Sequence, residues 1–404
     1  MSSNRAVIES TLSFNFDAGA YEAAAEQPTY YRSLNQPPRR EHPFHMYDAI
    51  LRQPHLVAEV LATATAAARD LAAEIAQRGV RRLLFSGIGA SYHLGASAAY
   101  AAWHLTGLPA SWVESSEALL SEAVHEYDGT AVIGLSASGN TIETVAHVQA
   151  ARRAGAHTLA LVNLDNTRLT EAAHRAYVAP GGYGLVWDYT TRLAMLYLAF
   201  IELGLALGRP AQPLEAVRAA LADIPMRMQR TLAGIDARCQ SIGRMIQSLR
   251  AVVAPAAGNQ LPIAWEMALR FEEMAHFPAR GRGLVDFLHG GVGYLAQDIG
   301  LVLLAPPGET YATSLRAARV AQTIKSPCVA LVDEDDQAVS ALADEVIRLP
   351  ATLPALRPML YLLPAQLVPY YTEVARPGGN PDVQRTDQPR YARAFDVAFP
   401  PKSH

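Results

Sequence analysis

Lysine is nearly missing from this chain. Of its 34 basic residues only Lys325 and Lys402 carry a primary amine, so covalent chemistry through a lysine imine has two candidates. Cysteine is equally scarce. Cys239 and Cys328 lie far apart in apolar surroundings, the pattern of reduced core thiols in a cytoplasmic protein and not of a disulfide framework. A basic excess is absent too: 34 Lys and Arg against 38 Asp and Glu give a net charge of -4, without the positive field that a nucleic-acid binder directs at phosphate backbones. The longest apolar run, Leu193 to Gly208, is interrupted by Glu202 and reads as too short to cross a bilayer. Glu9 and Asp17 occupy the stretch where a signal peptide would be apolar. No nucleic acid, no membrane and no secretion are expected.

What is present is apolar mass: 404 residues, half of them hydrophobic, enough for two cores. Residues 1–45 are polar and irregular and read as an arm, whose Phe14, Phe16, Tyr21, Tyr30 and Tyr31 suit packing on the body or on a second subunit. From Met46 to about Ala76 the apolar spacing is helical. Short apolar runs follow at 81–86, 109–113, 130–136 and 157–163, each leading into a helical segment. Runs apolar on both faces, alternating with helices, predict an α/β fold with a parallel sheet sandwiched by helices. After the turn-like 208–213, two helical stretches precede a second series of strand candidates at 251–256, 299–305, 327–332 and 345–350, and a helix near 357–371 closes it. The predicted organisation is an arm (1–45), two similar domains (46–210 and 211–375) and a tail (376–404).

Ligands on such sheets bind beyond the carboxyl ends of the strands. At one such end stands Gly134-Leu-Ser136-Ala-Ser138-Gly139-Asn140-Thr141. Three hydroxyls, a glycine that lets the backbone turn, and a helix N-terminus together make a cup for a phosphate monoester. A lone Ser-x-Ser would as readily be a helix cap with surplus serines. A second small-residue loop, Gly87-Ile-Gly89-Ala90-Ser91-Tyr92, follows the first strand of the same sheet and should open at the same edge. Two cups favour a phosphate. A nucleotide P-loop is excluded because no lysine is near, and a hydrolase elbow because Ser138 stands where its second glycine belongs. A dinucleotide fingerprint fits better, since Gly87-x-Gly89 follows a strand and Glu114 ends the next one, but its third glycine would fall at Tyr92, which leaves a nicotinamide cofactor as the lesser alternative. No cofactor and no metal are expected.

These motifs resemble those of the SIS (sugar isomerase) domain proteins, specifically the isomerase half of glutamine:fructose-6-phosphate amidotransferase. The matching segments begin at Gly87 (GIGASYH), Ser115 (SSE), Ser136 (SASGNTIET), Ala264 (AWEMALRFEE), Leu288 (LHG) and Thr386 (TDQPR). The resemblance implies two SIS domains in tandem, each a doubly wound, flavodoxin-like parallel sheet flanked by helices. It further implies a homodimer and a phosphosugar substrate. By resemblance, Gly89, Ser91, Ser136, Ser138 and Thr141 bind the sugar phosphate, Glu273 moves a proton between C1 and C2, and His289 opens the sugar ring, with action across a subunit interface as one arrangement the resemblance allows.

The residues themselves fit those roles. Glu266, Arg270 and Glu273 fall at i, i+4 and i+7, so one helical face presents acid, base, acid. Arg270 is placed to hold the carboxylate or an enediolate oxygen. Without the resemblance the triplet would read as a solvated face. An imidazole is the side chain suited to proton transfer near neutrality, and His289 precedes two glycines; His93 and His276 are lesser candidates. Two departures bear on activity. A glutaminase domain with its N-terminal cysteine is not expected, so glutamine is not the expected nitrogen source. Where the resembling family carries an imine-forming tail lysine, this chain has Ala394 beside Arg393. Arginine stays protonated and can only neutralise charge near the substrate, and Lys402 is a weak substitute. The expected activity is that of a phosphosugar isomerase or deaminase acting on a hexose or amino-hexose phosphate. The competing expectation is a phosphosugar-binding regulator without catalysis, which would need neither Glu273 nor His289.

Overall fold

Apolar runs that can bury both faces become interior parallel strands, and they do so here in two sheets. The computed structural model describes residues 39–120, 127–182, 184, 186–208, 213–385 and 387–398. Phe14, Phe16, Tyr21, Tyr30 and Tyr31 of the arm, and Lys402, lie outside them. The described chain opens with helices α1 (His45–Thr63) and α2 (Thr65–Gln77), in place of the single amphipathic helix expected there. There follow β1 (Arg82–Gly87), α3 (Ala90–Thr106), β2 (Ala110–Glu114), α4 (Ser115–Leu120), β3 (Thr130–Leu135), α5 (Ile142–Arg153), β4 (His157–Val162), α6 (Arg168–Ala172) and β5 (Arg175–Val178). All pairings are parallel, in the order β2-β1-β3-β4-β5.

Helix α7 (Trp187–Leu207) packs against α2 and α3. It starts six residues before the apolar run read from the sequence, and at 21 residues it is long and apolar enough to cross a membrane. In its most apolar window 72% is buried inside the protein, which makes it a core helix of the first sheet's unit.

The second series runs α8 (Leu214–Gln247), β6 (Ala251–Ala256), α9 (Leu261–Ala275), β7 (Ala279–Gly283), β8 (Ile299–Leu304), α10 (Tyr311–Ile324), β9 (Cys328–Asp333), β10 (Glu345–Leu349) and α11 (Arg357–Val374). Helix α8 is one continuous helix with Pro225 inside it, not two stretches. The sheet order β10-β9-β8-β6-β7 is the first sheet's order read from the other edge. Each half therefore has the doubly wound 2-1-3-4-5 arrangement, with its switch point between the first and third strands. Each sheet also has one strand more than the sequence pattern predicted. β5 (RAYV) and β7 (ARGRG) are edge strands, exposed enough to dispense with apolar runs.

The chain divides into two compact units. One takes Leu56–Leu214 together with the segment from Arg385 on, and the other takes Arg39–His55 and Glu215–Gln384. This partition runs through α1. Its first turn is held within the second unit, where Asp382 accepts from the backbone N–H groups of His45 (2.9 Å) and Met46 (2.7 Å), and Tyr370 Oη accepts from Phe44 N (3.1 Å). A carboxylate at a helix N-terminus satisfies orphan donors and meets the positive end of the helix dipole. Within the region read as a tail, α12 (Pro389–Ala398) forms a helix with no buried residue.

Candidate functional site

Strands β1 and β3 are neighbours, and both end at the switch point of the first sheet, so the loops that follow them share one edge. Gly87 must be glycine because a Cβ there would lie 2.8 Å from the backbone carbonyl carbon and oxygen of Ser91. Gly89 follows with φ 55°, a conformation that favours glycine, and α3 starts immediately after it. Ser91, in the first turn of α3, is buried, and its Oγ accepts a hydrogen bond from Arg192 Nη1 at 3.0 Å.

The loop after β3 closes on its own hydroxyls. Ser136 Oγ accepts from Gly139 N at 3.0 Å and lies 3.0 Å from Thr141 Oγ1; Ser138 Oγ accepts from Asn140 N at 3.3 Å. Gly139 has φ 68°, and a Cβ there would sit 2.1 Å from Thr167 Oγ1. The loop is anchored to its neighbour through Ala137 O, which accepts from Asn163 N (3.1 Å), and Gly139 O, which accepts from Leu169 N (2.9 Å). Thr141 is the N-cap residue of α5 but makes no side-chain cap bond. Ser138 and Thr141 are half-buried, and Gly89 is exposed. The sequence-predicted phosphate residues of both loops thus stand at one sheet edge, on two helix N-termini.

Beneath these loops runs a buried polar chain that sequence reasoning missed. Ser86 Oγ contacts Ser115 Oγ (2.8 Å) and His147 Nδ1 (2.7 Å), Ser115 Oγ contacts Thr144 Oγ1 (2.9 Å), and His147 Nε2 meets Tyr127 Oη (3.1 Å). Ser86 closes β1 just before Gly87, and Thr144 lies in the first turn of α5, so the chain pins both loops to one frame. Arg192 was missed as well. It is 1% exposed in the middle of α7, with Nε donating to Asp188 O at 3.0 Å. The available signal was a lone arginine inside an apolar helix, since arginine is almost never fully buried unless paired.

In the second unit, α9 carries the predicted acid-base-acid face, and it is not solvated. Arg270 Nε donates to Glu266 Oε1 and Arg270 Nη1 to Glu273 Oε2, both at 2.7 Å. The Arg270 side chain is 4% exposed and that of Glu266 0%, whereas Glu273 keeps 30%. The guanidinium fork therefore fixes the one carboxylate of the three residues that solvent reaches. His289 is exposed in a π-helical turn, Phe287–Gly291, where Gly291 packs against Phe287. π-Helical turns are rare and recur at functional sites.

The lesser histidine candidates have other surroundings. His276 is the left-handed C-cap of α9 and is tied to Arg376 (3.1 Å) and Glu373 (3.5 Å) at the end of α11. His93 is half-buried beside Tyr92. Arg393 is exposed on α12, with no hydrogen bond or ion pair among the described residues.

A cavity of about 440 Å³ lies along the edge strand β5, lined by His174, Arg175, Tyr177 and Val178, and a second of about 270 Å³ opens at the amino ends of β3 and β4, lined by Thr130, His157 and His174. Arg78, at the C-cap of α2, and Arg152, in the last turn of α5, line the smaller one. Both arginines stand at helix C-termini, where a cation answers the negative end of the helix dipole. Among the described residues no group of three or more His, Cys, Asp or Glu is arranged to hold a metal ion.

The chain is 27% identical over 372 residues to a glutamine--fructose-6-phosphate aminotransferase [isomerizing] of Thermococcus kodakarensis, covering 89% of this chain and 60% of that protein. It therefore spans under two thirds of that relative's length. The C-terminal domain of glucosamine-fructose-6-phosphate aminotransferase from Francisella tularensis superposes with a TM-score of 0.74 at 20% identity, over 82% of this chain and 96% of that one. A glucosamine-6-phosphate deaminase from Thermotoga maritima shares the fold with a TM-score of 0.61 at 14% identity, over 81% and 96%. The SIS domain family matches twice, over residues 77–202 and 245–375, one match for each sheet of 2-1-3-4-5 order. The chain belongs to the SIS domain family, with two such domains in tandem.

Proposed function

We propose that this protein is a phosphosugar isomerase or deaminase that acts on a hexose or amino-hexose phosphate by moving a proton between C1 and C2. The observation that carries the reading is the pair of hydroxyl-lined loops at one switch point, Gly89 and Ser91 on one side and Ser136, Ser138 and Thr141 on the other. They offer a phosphoryl group hydroxyl and backbone donors at two helix N-termini. Glu273 is the proton carrier: as a carboxylate it removes the proton from one carbon of an α-hydroxy or α-amino carbonyl, the carbonyl oxygen taking up a proton to leave an enediol or enaminol, and returns it to the neighbouring carbon. From an amino sugar this gives an imine, which water hydrolyses to the carbonyl with release of ammonia. Arg270 orients that carboxylate, and His289 transfers the proton that opens the ring.

The tail position that would hold an imine-forming lysine is Ala394, which favours substrates whose amine is already present over attachment of a new one. Arg393 then contributes only charge near the substrate. The reading includes a cytoplasmic homodimer, with no cofactor, nucleic acid or membrane.

The test is exchange with solvent deuterium of the proton on C2 of an aldose, or on C1 of a ketose, followed by NMR on a panel of hexose and amino-hexose 6-phosphates. Wild-type protein exchanges the proton on its substrate. Glu273→Gln keeps phosphosugar binding and loses roughly 10²- to 10⁴-fold in exchange rate, the span that positioned acid–base groups supply. Binding without exchange by the wild type overturns the catalytic reading and favours a phosphosugar-responsive regulator.

A further inference from the structure

At the two loops three serine oxygens each accept a hydrogen bond from an N–H group, while Ser136 Oγ also contacts the hydroxyls of Thr141 (3.0 Å) and Ser138 (3.4 Å), where either oxygen can donate. Ser136 Oγ receives Gly139 N–H, Ser138 Oγ receives Asn140 N–H, and Ser91 Oγ receives the guanidinium N–H of Arg192. A serine hydroxyl has one proton to give and two lone pairs to accept with. When a neighbour donates into the oxygen, the proton is what remains to present to a ligand, and a charged donor polarises that O–H further. Two of the three donors are backbone groups of the loop itself. The third comes from α7, a different element, and it is the one that carries a charge.

The geometry points to Arg192 as a positioning and specificity-determining residue for the anion: by donating into the Ser91 oxygen it leaves the Ser91 hydroxyl proton to face the ligand. A donor fixed in this way favours a fully deprotonated phosphoryl group, every oxygen of which can accept. Arg192 acts through Ser91 and does not itself touch substrate. Its own position is fixed by the bond from Nε to Asp188 O one turn earlier, and by the first-unit core in which α7 is buried. This inference rests on the phosphosugar reading.

The test measures fructose 6-phosphate binding, with inorganic sulfate as a competitor that carries no proton and can only accept. In wild-type protein sulfate competes. Arg192→Gln weakens both ligands by roughly tenfold, the scale of one hydrogen bond to a charged group. With the substrate found by proton exchange, the same variant raises KM and leaves kcat close to wild type. Arg192→Lys, which keeps a charged donor, recovers part of the loss. Ser91→Ala weakens binding by a similar factor, and Arg192→Gln in the Ser91→Ala background adds little, because the two residues act in series. Wild-type affinity in Arg192→Gln, or losses in the two single variants that multiply fully in the double, overturns the role. Should Arg192→Gln not fold, Arg192→Lys and Ser91→Ala decide: undiminished binding in Ser91→Ala is then the contrary result. If wild-type protein binds neither fructose 6-phosphate nor any other phosphosugar of the panel, the phosphosugar reading fails; if it binds and the variants match it, only the role of Arg192 fails.

Discussion

At the scale of single residues, charges buried in the interior decide what can be changed. Arg270 lies between a fully buried carboxylate and a partly exposed one, so removing it strands Glu266 without its guanidinium partner. Breaking a buried pair from one side costs about 3–5 kcal/mol, whereas removing both partners costs much less. Urea unfolding should therefore show Arg270→Met destabilised by about that amount, and the double variant Glu266→Gln/Arg270→Met less so. The cysteines mark the opposite case. Burial pushes the Cys328 thiol up to about 12 and that of Cys239 higher still, so almost no thiolate exists at neutral pH. A thiol-specific reagent should find no reactive cysteine in the native protein and two after unfolding. The spacing of Glu266, Arg270 and Glu273 was legible in the sequence; their burial was not, because i, i+4, i+7 charges look the same on a wet face and a dry one. Arg192 stood out as a lone arginine in an apolar helix, but its partner did not: Ser91 is 101 residues away, brought to it by the packing of α7 on α3.

Elements add constraints that no single side chain shows. The loop between β3 and α5 works because Gly139 takes a positive φ while Thr167 fills the space a side chain would need. Gly139→Ala combines backbone strain with a steric clash, and phosphosugar affinity should fall well beyond the effect of Ser138→Ala, read by calorimetry on fructose 6-phosphate. At the other end of β4, His157 is buried with its pKa lowered to about 4, chiefly by burial and then by the charge of Arg78. The unfolded chain binds a proton near 6.5, so between about 6.5 and 4 it takes up the proton more readily than the folded chain. Acid therefore costs stability across that window. His157→Gln should show a smaller fall in Tm from pH 7 to pH 4.5 than the wild type; an equal fall would remove His157 from the account. Four strands of each sheet were legible as apolar runs, and the fifth was not. β7, ARGRG, has no hydrophobic residue beyond alanine and owes its place to pairing with β6. Helix α8 ran against the sequence reading because Pro225 is accommodated inside it.

Across the whole molecule the same topology occurs twice, but the anion chemistry occurs once. Beyond β3 the chain offers Ser136, Ser138, Gly139 and Thr141. At the matching end of β8 it offers Ala305-Pro306-Pro307-Gly308-Glu309. Two prolines have no N–H to give, and a glutamate adds negative charge where an anion would have to sit. The first strand of the second sheet is followed by Ala257-Gly258-Asn259-Gln260, with Asn259 already donating to Pro354 O at 2.7 Å and Gln260 buried. On the proposed function the duplicated fold has one phosphate site per chain, in the first domain, while the second domain carries the Glu266–Arg270–Glu273 face and His289. Calorimetric titration with fructose 6-phosphate should saturate at one ligand per chain. Ser136→Ala/Ser138→Ala should abolish that binding, while Glu273→Gln should leave the stoichiometry at one. A second equivalent that survives the serine substitutions would mean that the β6 and β8 ends bind phosphate too, and that donor chemistry does not divide the two domains.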